Sequence, residues 1–328
     1  MNEFTGVFAQ ELRDYVQLRA KDMTAESLQI TVQTLFGFDL LMVELSVEEK
    51  IVSEELVNQW IRKLEAVLAR KTVSDRVSVL RRFLRYLSYL GYMVYIPPCP
   101  KATDSYIPYI FSNHELNLIF STADRMDIPY AGRVNTNLAY QMPVYLRLLY
   151  GCGLRSGEVA DLKVKDICFD SGTLVIRKAK NNKQRIVPMH QTMAALLKRY
   201  CLATGIYGFS ESYLFADKNG NRISIHAVRD YFVRILKSTG IYIKPEPHTR
   251  GQCIHCLRHV FAVRSFSQAE SQGRSTTDSV PYLSVYLGHF DMDGTEKYLK
   301  FSADMLPNLH HPFETYSADV FPEVDYEA

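Results

Sequence analysis

Three prolines within four residues, Pro97, Pro98 and Pro100, divide this chain more firmly than any other feature. Each lacks a backbone N–H and restricts the residue before it, so no regular helix runs through residues 96–101. The stretch reads as a linker. With 328 residues, 47% of them hydrophobic, the chain exceeds the usual size of one compact domain, and two domains are the expected outcome. The expected division is a helical domain over 1–95, a linker over 96–107, a second domain over 108–300 and a terminal segment over 301–328.

The formal charge of +2 conceals how charge is distributed. Residues 1–107 carry −1, residues 108–300 carry +9 and residues 301–328 carry −6. A basic middle suits a polyanion, and an acidic end with Met305, Leu306, Leu309, Phe313, Tyr316 and Phe321 suits a protein surface. The 6 Cys are too sparse for the disulfide framework of a small secreted protein, and no basic segment followed by an apolar stretch opens the chain. No uninterrupted apolar run approaches the roughly 20 residues that span a bilayer. A cytoplasmic protein outside the membrane is the expectation.

In the first part, Val73, Val77, Leu80, Leu84 and Leu87 recur at intervals of three and four. They share one face of a helix over 72–90, with Arg76, Arg81, Arg82 and Arg85 mainly elsewhere and Gly91 as the stop. Eight Lys or Arg and only two acids lie between Arg62 and Arg85. Both a DNA contact and an ordinary solvated face fit that pattern, because Arg stems also lie along apolar surface.

In the second part, Ser112 and Glu115 have the spacing of a capping box before Leu116, Ile119 and Phe120. An apolar helix follows over 137–150 and ends at Gly151-Cys152-Gly153. Alternating segments at 172–176 and 184–189 then read as a hairpin. Its connection holds Arg177, Lys178, Lys180, Lys183 and Arg185 and no acid between 177 and 185, a concentration that fits a phosphate backbone.

Three clusters carry the chemistry: Gly153-Leu-Arg155-Ser-Gly-Glu158, His255-Cys-Leu-Arg258-His259, and Leu287-Gly-His289 followed by Thr295-x-x-Tyr298. Taken singly, each has an ordinary structural reading as a cap, a chance pair or a packing residue. In this order along one chain, they resemble the tyrosine recombinase family, also called the phage integrase or lambda-integrase-like family. The resemblance covers nearly the whole chain, and Lys180 in Lys180-Asn-Asn-Lys-Gln-Arg-Ile-Val-Pro188 resembles the family's hairpin lysine.

The resemblance implies a mainly α fold with a small β-sheet. A helical core-binding domain and a mixed α/β catalytic domain would close on duplex DNA as a C-shaped clamp. It implies a site-specific DNA recombinase of the integrase or transposon kind, acting through a covalent 3′-phosphotyrosine and leaving a free 5′-hydroxyl, with no metal and no nucleotide cofactor. Carried over by motif, Tyr298 is the nucleophile and Arg155 and Arg258 hold the phosphate. His255 and His289 assist, and Lys180 protonates the leaving oxygen. Glu158 supports Arg155. The implied partners are double-stranded DNA with specific sites, further copies of this chain up to a tetramer in the synaptic complex, and room for an accessory protein.

The residue chemistry fits those roles. Charge on the nonbridging oxygens of a phosphodiester is met best by guanidinium forks, which make paired bonds without losing a proton. A phenol with an ordinary pKa of about 10 needs positive surroundings or a base. Because a phosphotyrosine ester stores the energy of the broken backbone, a 5′-hydroxyl can reseal it without a nucleotide. The sequence holds no evident carboxylate cluster for two-metal hydrolysis.

Cys253, Cys256, His248, His255 and His259 together invite a zinc reading. The recombinase motif already accounts for His255 and His259, and small buried cysteines are the simpler expectation. The polar stretch 265–282 looks longer than the family's compact helical passage and reads as a loop or an insertion. Two other functions stay open on the sequence: DNA relaxation of the type IB topoisomerase kind, and a noncatalytic DNA-binding regulator that keeps the fold.

Overall fold

The computed structural model describes residues 3–99, 108–125, 138–177, 184–246 and 251–289, with Met292 and Thr295 beyond them. The fold is mainly helical with small β-sheets, and the chain divides into two compact units, Met1–Tyr106 and Ile107–Ala328.

The first unit contains α1 (Ala9–Arg19), α2 (Ala25–Glu44), α3 (Glu54–Glu65) and α4 (Arg70–Tyr89). Two-residue strands β1 (Ile51–Val52) and β2 (Met93–Val94) pair in parallel. Local chemistry sets the helix starts: the Thr24 and Ser53 hydroxyls accept from the backbone N–H groups of Ser27 and Leu56. In α3, Glu54 and Glu55 open the helix and Arg62 and Lys63 close it, which complements its dipole. The α4 stripe predicted from periodicity is buried at Val73, Val77, Leu80, Leu84 and Leu87, and packs with Phe8, Phe38 and Trp60. At 0% exposure, the Asp39 carboxylate accepts from the backbone of Thr5 and Gly6, tying the chain's start to α2.

The parallel β1–β2 pair escapes sequence reading because two residues are too few to show a period. Its register continues with Tyr95 N donating to the Val52 carbonyl at 2.8 Å. The first part of the proline stretch is also pinned to α4. Arg81 donates to the Pro97 carbonyl, and the Cys99 sulfur lies 3.2 Å from the Ser78 hydroxyl.

The second unit is built round α6 (Leu138–Cys152), which is buried along nearly its whole length. Helix α5 (Asn113–Asp124) starts at the capping box formed by Ser112 and Glu115 and lies against α6. Pro143 lies inside α6 and has no N–H to give the Ala139 carbonyl. Arg147, 1% exposed, reaches from α6 to both carboxylate oxygens of Asp124 at 2.8 and 2.7 Å, and its guanidinium covers the Phe120 ring.

After α7 (Ser156–Asp161) and a 3-10 turn (Val164–Asp166) comes an antiparallel sheet of β3 (Ile167–Cys168), β4 (Thr173–Ile176) and β5 (Arg185–Pro188). The hairpin is β4–β5, with Ile176 opposite Arg185. Strand β3 is an addition to the predicted pair. Helices α8 (Gln191–Ala203), α9 (Ile225–Ser238), α10 (Cys256–Ser271) and α11 (Thr276–Leu287) complete the unit. The expected loop at 265–282 is instead the end of α10 and the first half of α11, joined by a short turn. Phe266 and Val280 within it and Leu283 just after it are buried, which explains how so polar a stretch stays helical.

Among the described residues, no helix is long and apolar enough to cross a membrane.

Candidate active site

Two glycines shape the site because the chain must turn left-handed where no side chain fits. Gly153, at φ +58°, ends the α6 turn, and a Cβ there would lie 2.4 Å from the Phe261 ring. Gly288, at φ +65°, caps α11, and a Cβ there would lie 2.9 Å from the Arg185 guanidinium. The first turn delivers Arg155 to the N-cap of α7, and the second delivers His289 just past α11. Tyr145 steadies the first by donating its hydroxyl to the Ser156 carbonyl at 2.6 Å.

Adjacent carbonyls at the end of α11 anchor both motif arginines. Arg155 donates to Gly288 O at 2.8 Å, and Arg258 donates to Leu287 O at 2.8 Å. The C-terminus of a helix carries partial negative charge, so it is a suitable seat for two cations. Arg258 also donates to Gly153 O at 2.6 Å and closes the ring of contacts between the α6 turn, α10 and α11. Segments 105 and 133 residues apart in sequence thus converge.

The two arginines are not equivalent. The Arg155 side chain is 24% exposed, whereas Arg258 is 1% exposed and faces backbone oxygens. Arg258 also meets Nε2 of His289 at 3.0 Å, and Nδ1 of His289 lies 2.6 Å from the Thr295 hydroxyl. A guanidinium only donates, so Nε2 is the acceptor here and the ring proton sits on Nδ1, toward Thr295. Thr295, 0% exposed, is therefore a contact of the site for which the sequence reading gave no role. Its signal was its place six residues after His289.

Glu158 collects the positive charge. Its side chain is 3% exposed, and it accepts from the Arg155 guanidinium at 2.8 Å and the Arg155 backbone N–H at 2.9 Å. Arg185 adds two more bonds, both at 2.8 Å. Burial pushes the carboxyl up, but the hydrogen bonds and charge of Arg185, with those of Arg155, outweigh it and hold the group at about 2.

His255 lies at the N-cap of α10, half-buried, with its ring at 87° to that of His259 and the centroids 4.7 Å apart. Cys253 and Cys256 face each other with sulfurs 3.7 Å apart. The contact with Cys253, together with burial, pushes the Cys256 thiol up. Among the described residues, no three His, Cys, Asp or Glu gather as metal ligands; His248 lies outside them.

Of the basic residues predicted to meet DNA, Arg82 and Arg85 are exposed on α4. Arg76 is half-buried and engaged on α2, donating to Ile30 O at 3.0 Å and to the Thr34 hydroxyl, and Arg81 holds Pro97 O. Arg177 pairs with Asp166 at 2.5 Å while its side chain stays 48% exposed. Arg185 corrects the sequence reading most clearly. Its side chain is 11% exposed, both terminal nitrogens lie on Glu158, and Nε donates to Tyr286 O at 2.9 Å. Strand alternation and the buried carboxylate draw it inward, away from the solvent face expected of a hairpin base. Lys178, Lys180, Lys183, Tyr298 and the segment 301–328 lie outside the described residues.

Comparisons with known proteins place the chain in a family. Residues 111–303 match the Phage integrase family. A putative integrase/recombinase of Sinorhizobium fredii, y4rB, is 26% identical over 311 residues, covering 92% of this chain and 95% of its own length. A XerH site-specific recombinase bound to its difH substrate superposes with a TM-score of 0.64 at 18% identity, over 88% of this chain and 79% of that one. A lambda integrase tetramer bound to a Holliday junction gives 0.62 at 15% identity, over 88% and 78%. At these identities the solved structures establish a shared fold. Since residues 111–303, more than half of the sequence, match the family, the chain belongs to the phage integrase family of tyrosine recombinases.

Proposed function

We propose that this site-specific DNA recombinase cleaves and rejoins strands through Tyr298, with the scissile phosphate seated against Arg155. The observation that carries the reading is the convergence of Arg155 and Arg258 on the Gly288 and Leu287 carbonyls, with His289 Nε2 against Arg258. Arg155 has exposed donor capacity for the nonbridging oxygens, and Arg258 keeps a second positive charge behind the same turn.

In the forward step the Tyr298 oxygen bonds to phosphorus as the bond from phosphorus to the 5′ oxygen breaks. The phenolic proton passes to His255, acting as base, and Lys180 supplies a proton to the leaving 5′ oxygen. His289, held between Arg258 and Thr295, is assigned to assist at the phosphate beside Arg258. Rejoining is the reverse step with a 5′-hydroxyl from another strand. The stored ester makes a nucleotide cofactor unnecessary.

The helical first unit and the basic second unit are each assigned to DNA contact, in the cytoplasm. The shared fold with a lambda integrase tetramer on a Holliday junction supports exchange between four copies. The acidic segment 301–328 is assigned to contacts between them. Resemblance to a putative integrase/recombinase favours the integration or transposition of a mobile element.

A nicked suicide substrate, from which the cleaved end diffuses away, tests the assignment. Wild-type protein is expected to become covalently attached to DNA, while Tyr298→Phe binds the same DNA without attachment. Attachment by the phenylalanine variant would overturn the nucleophile. A two-site exchange assay beside supercoil relaxation separates recombination from relaxation alone.

A further inference from the structure

Arg185 ties together three parts of the site, and nothing in the proposed chemistry accounts for it. It sits at the start of β5, opposite Ile176 and five residues after Lys180. From there its guanidinium spans the gap between α7 and the end of α11. Both terminal nitrogens clasp the buried Glu158 carboxylate, and Nε holds Tyr286 O at 2.9 Å. Its flat face lies under Gly288, where a Cβ would come within 2.9 Å of NH1 and 3.1 Å of Cζ. The left-handed glycine therefore leaves room for this arginine as well as meeting its own backbone demand.

The consequence falls on Arg155. One terminal nitrogen of Arg155 is fixed by Glu158 and the other by Gly288 O, and Arg185 braces both of those partners. Glu158 has four donors on two oxygens: two from Arg155, side chain and backbone, and two from Arg185. Removal of Arg185 strips half of those bonds and leaves the carboxylate held by Arg155 alone, one bond to each oxygen. A guanidinium forks across both carboxylate oxygens while its Nε bonds a third group; an ammonium cannot reproduce that geometry.

We propose that Arg185 is a positioning residue of the cleavage site, which acts through Glu158 and the Tyr286–Gly288 turn to set Arg155 against the phosphate. The proposal rests on the function proposed above. It replaces the role as a DNA contact that the hairpin's charge suggested.

Arg185→Met, Arg185→Lys, Glu158→Gln and the double variant Glu158→Gln/Arg185→Met of the full chain provide the test, with nicked suicide DNA as the probe. At saturating DNA, covalent attachment is expected to slow about 100-fold for Arg185→Met, the scale of misplacing one oxyanion donor, and to be only partly restored by lysine. The double variant is expected to be no slower than the worse single one, because both act through one unit. It also removes a charge of each sign, so it keeps a folded comparison available if Arg185→Met alone unfolds. In Arg185→Met the acid limb of the attachment rate is expected to move to higher pH, since Glu158 loses the cation that holds it ionised. The dependence of DNA affinity on salt is expected to stay unchanged.

A salt slope smaller by about 0.9 with a normal attachment rate would make Arg185 a phosphate contact and overturn the proposal. Additive losses in the double variant would overturn the route through Glu158. Wild-type attachment that survives Tyr298→Phe would instead bring down the functional reading, and that outcome is scored separately from the Arg185 series.

Discussion

Glu158 illustrates how a buried carboxylate becomes a structural asset in a site that needs positive charge. Left alone at 3% exposure it would protonate, but the guanidinium groups of Arg155 and Arg185 keep it ionised. The linkage to stability has a definite sign. Its folded pKa of about 2 lies below the ordinary 4.5, so its contribution is fully present above about 4.5. It is lost as pH falls from there through about 2, with a total on the order of 3 kcal/mol. Urea unfolding compared at pH about 5.5 and about 3 should therefore show a larger loss for wild type than for Glu158→Gln, which has no carboxyl to protonate. Equal losses would show that other groups govern acid sensitivity.

At the scale of elements, helix ends and helix pairs are fixed by a few polar anchors within an apolar core. Helix α6 contributes apolar side chains on nearly every side, so its axial position depends on the one charged group it buries. Arg147 supplies that constraint by clasping Asp124 at the end of α5. Asp124→Ala leaves a guanidinium that is 1% exposed without its carboxylate and should cost about 3 kcal/mol, less than for a fully enclosed pair because Asp124 is 31% exposed. The measurement is the shift in denaturation midpoint. Since α6 carries the Gly153 turn, attachment to suicide DNA should fall as well. A loss confined to stability would show that the turn is held by Arg258 and Tyr145 alone.

For the whole molecule, charge is separated along the chain rather than spread over it: near neutral over 1–107, +9 over 108–300 and −6 over 301–328. Each phosphate neutralised on binding releases counterions, so affinity should fall steeply with salt. Arg82 and Arg85, exposed on α4, are available for such contacts, whereas Arg76 is held on Ile30 O. Joint Arg82→Ala and Arg85→Ala replacement is expected to reduce the slope of log affinity against log salt by about 2, and Arg76→Ala to leave it unchanged. Fluorescence anisotropy over about 50–200 mM salt reads both. An unaltered slope in the double variant would mark that face of α4 as ordinary solvated surface.

The α4 stripe, the Ser112–Glu115 capping box and the β4–β5 hairpin were all legible in the sequence, because each rests on local periodicity or a side chain within four residues of its partner. The family was legible too, since its three clusters keep their order and internal spacing. Strands of two residues left no period to read, and the polar stretch 265–282 showed its helical inner face only against α10. The direction of each arginine was also beyond local reading. Arg82 and Arg185 are the same cation in sequence, yet one meets solvent and the other a buried carboxylate 27 positions away. The order and spacing of the three motifs were enough to give the family and, with it, the kind of chemistry proposed. Which arginines face outward and which turn to a buried carboxylate followed from the fold, because that depends on burial and on partners brought together from distant segments.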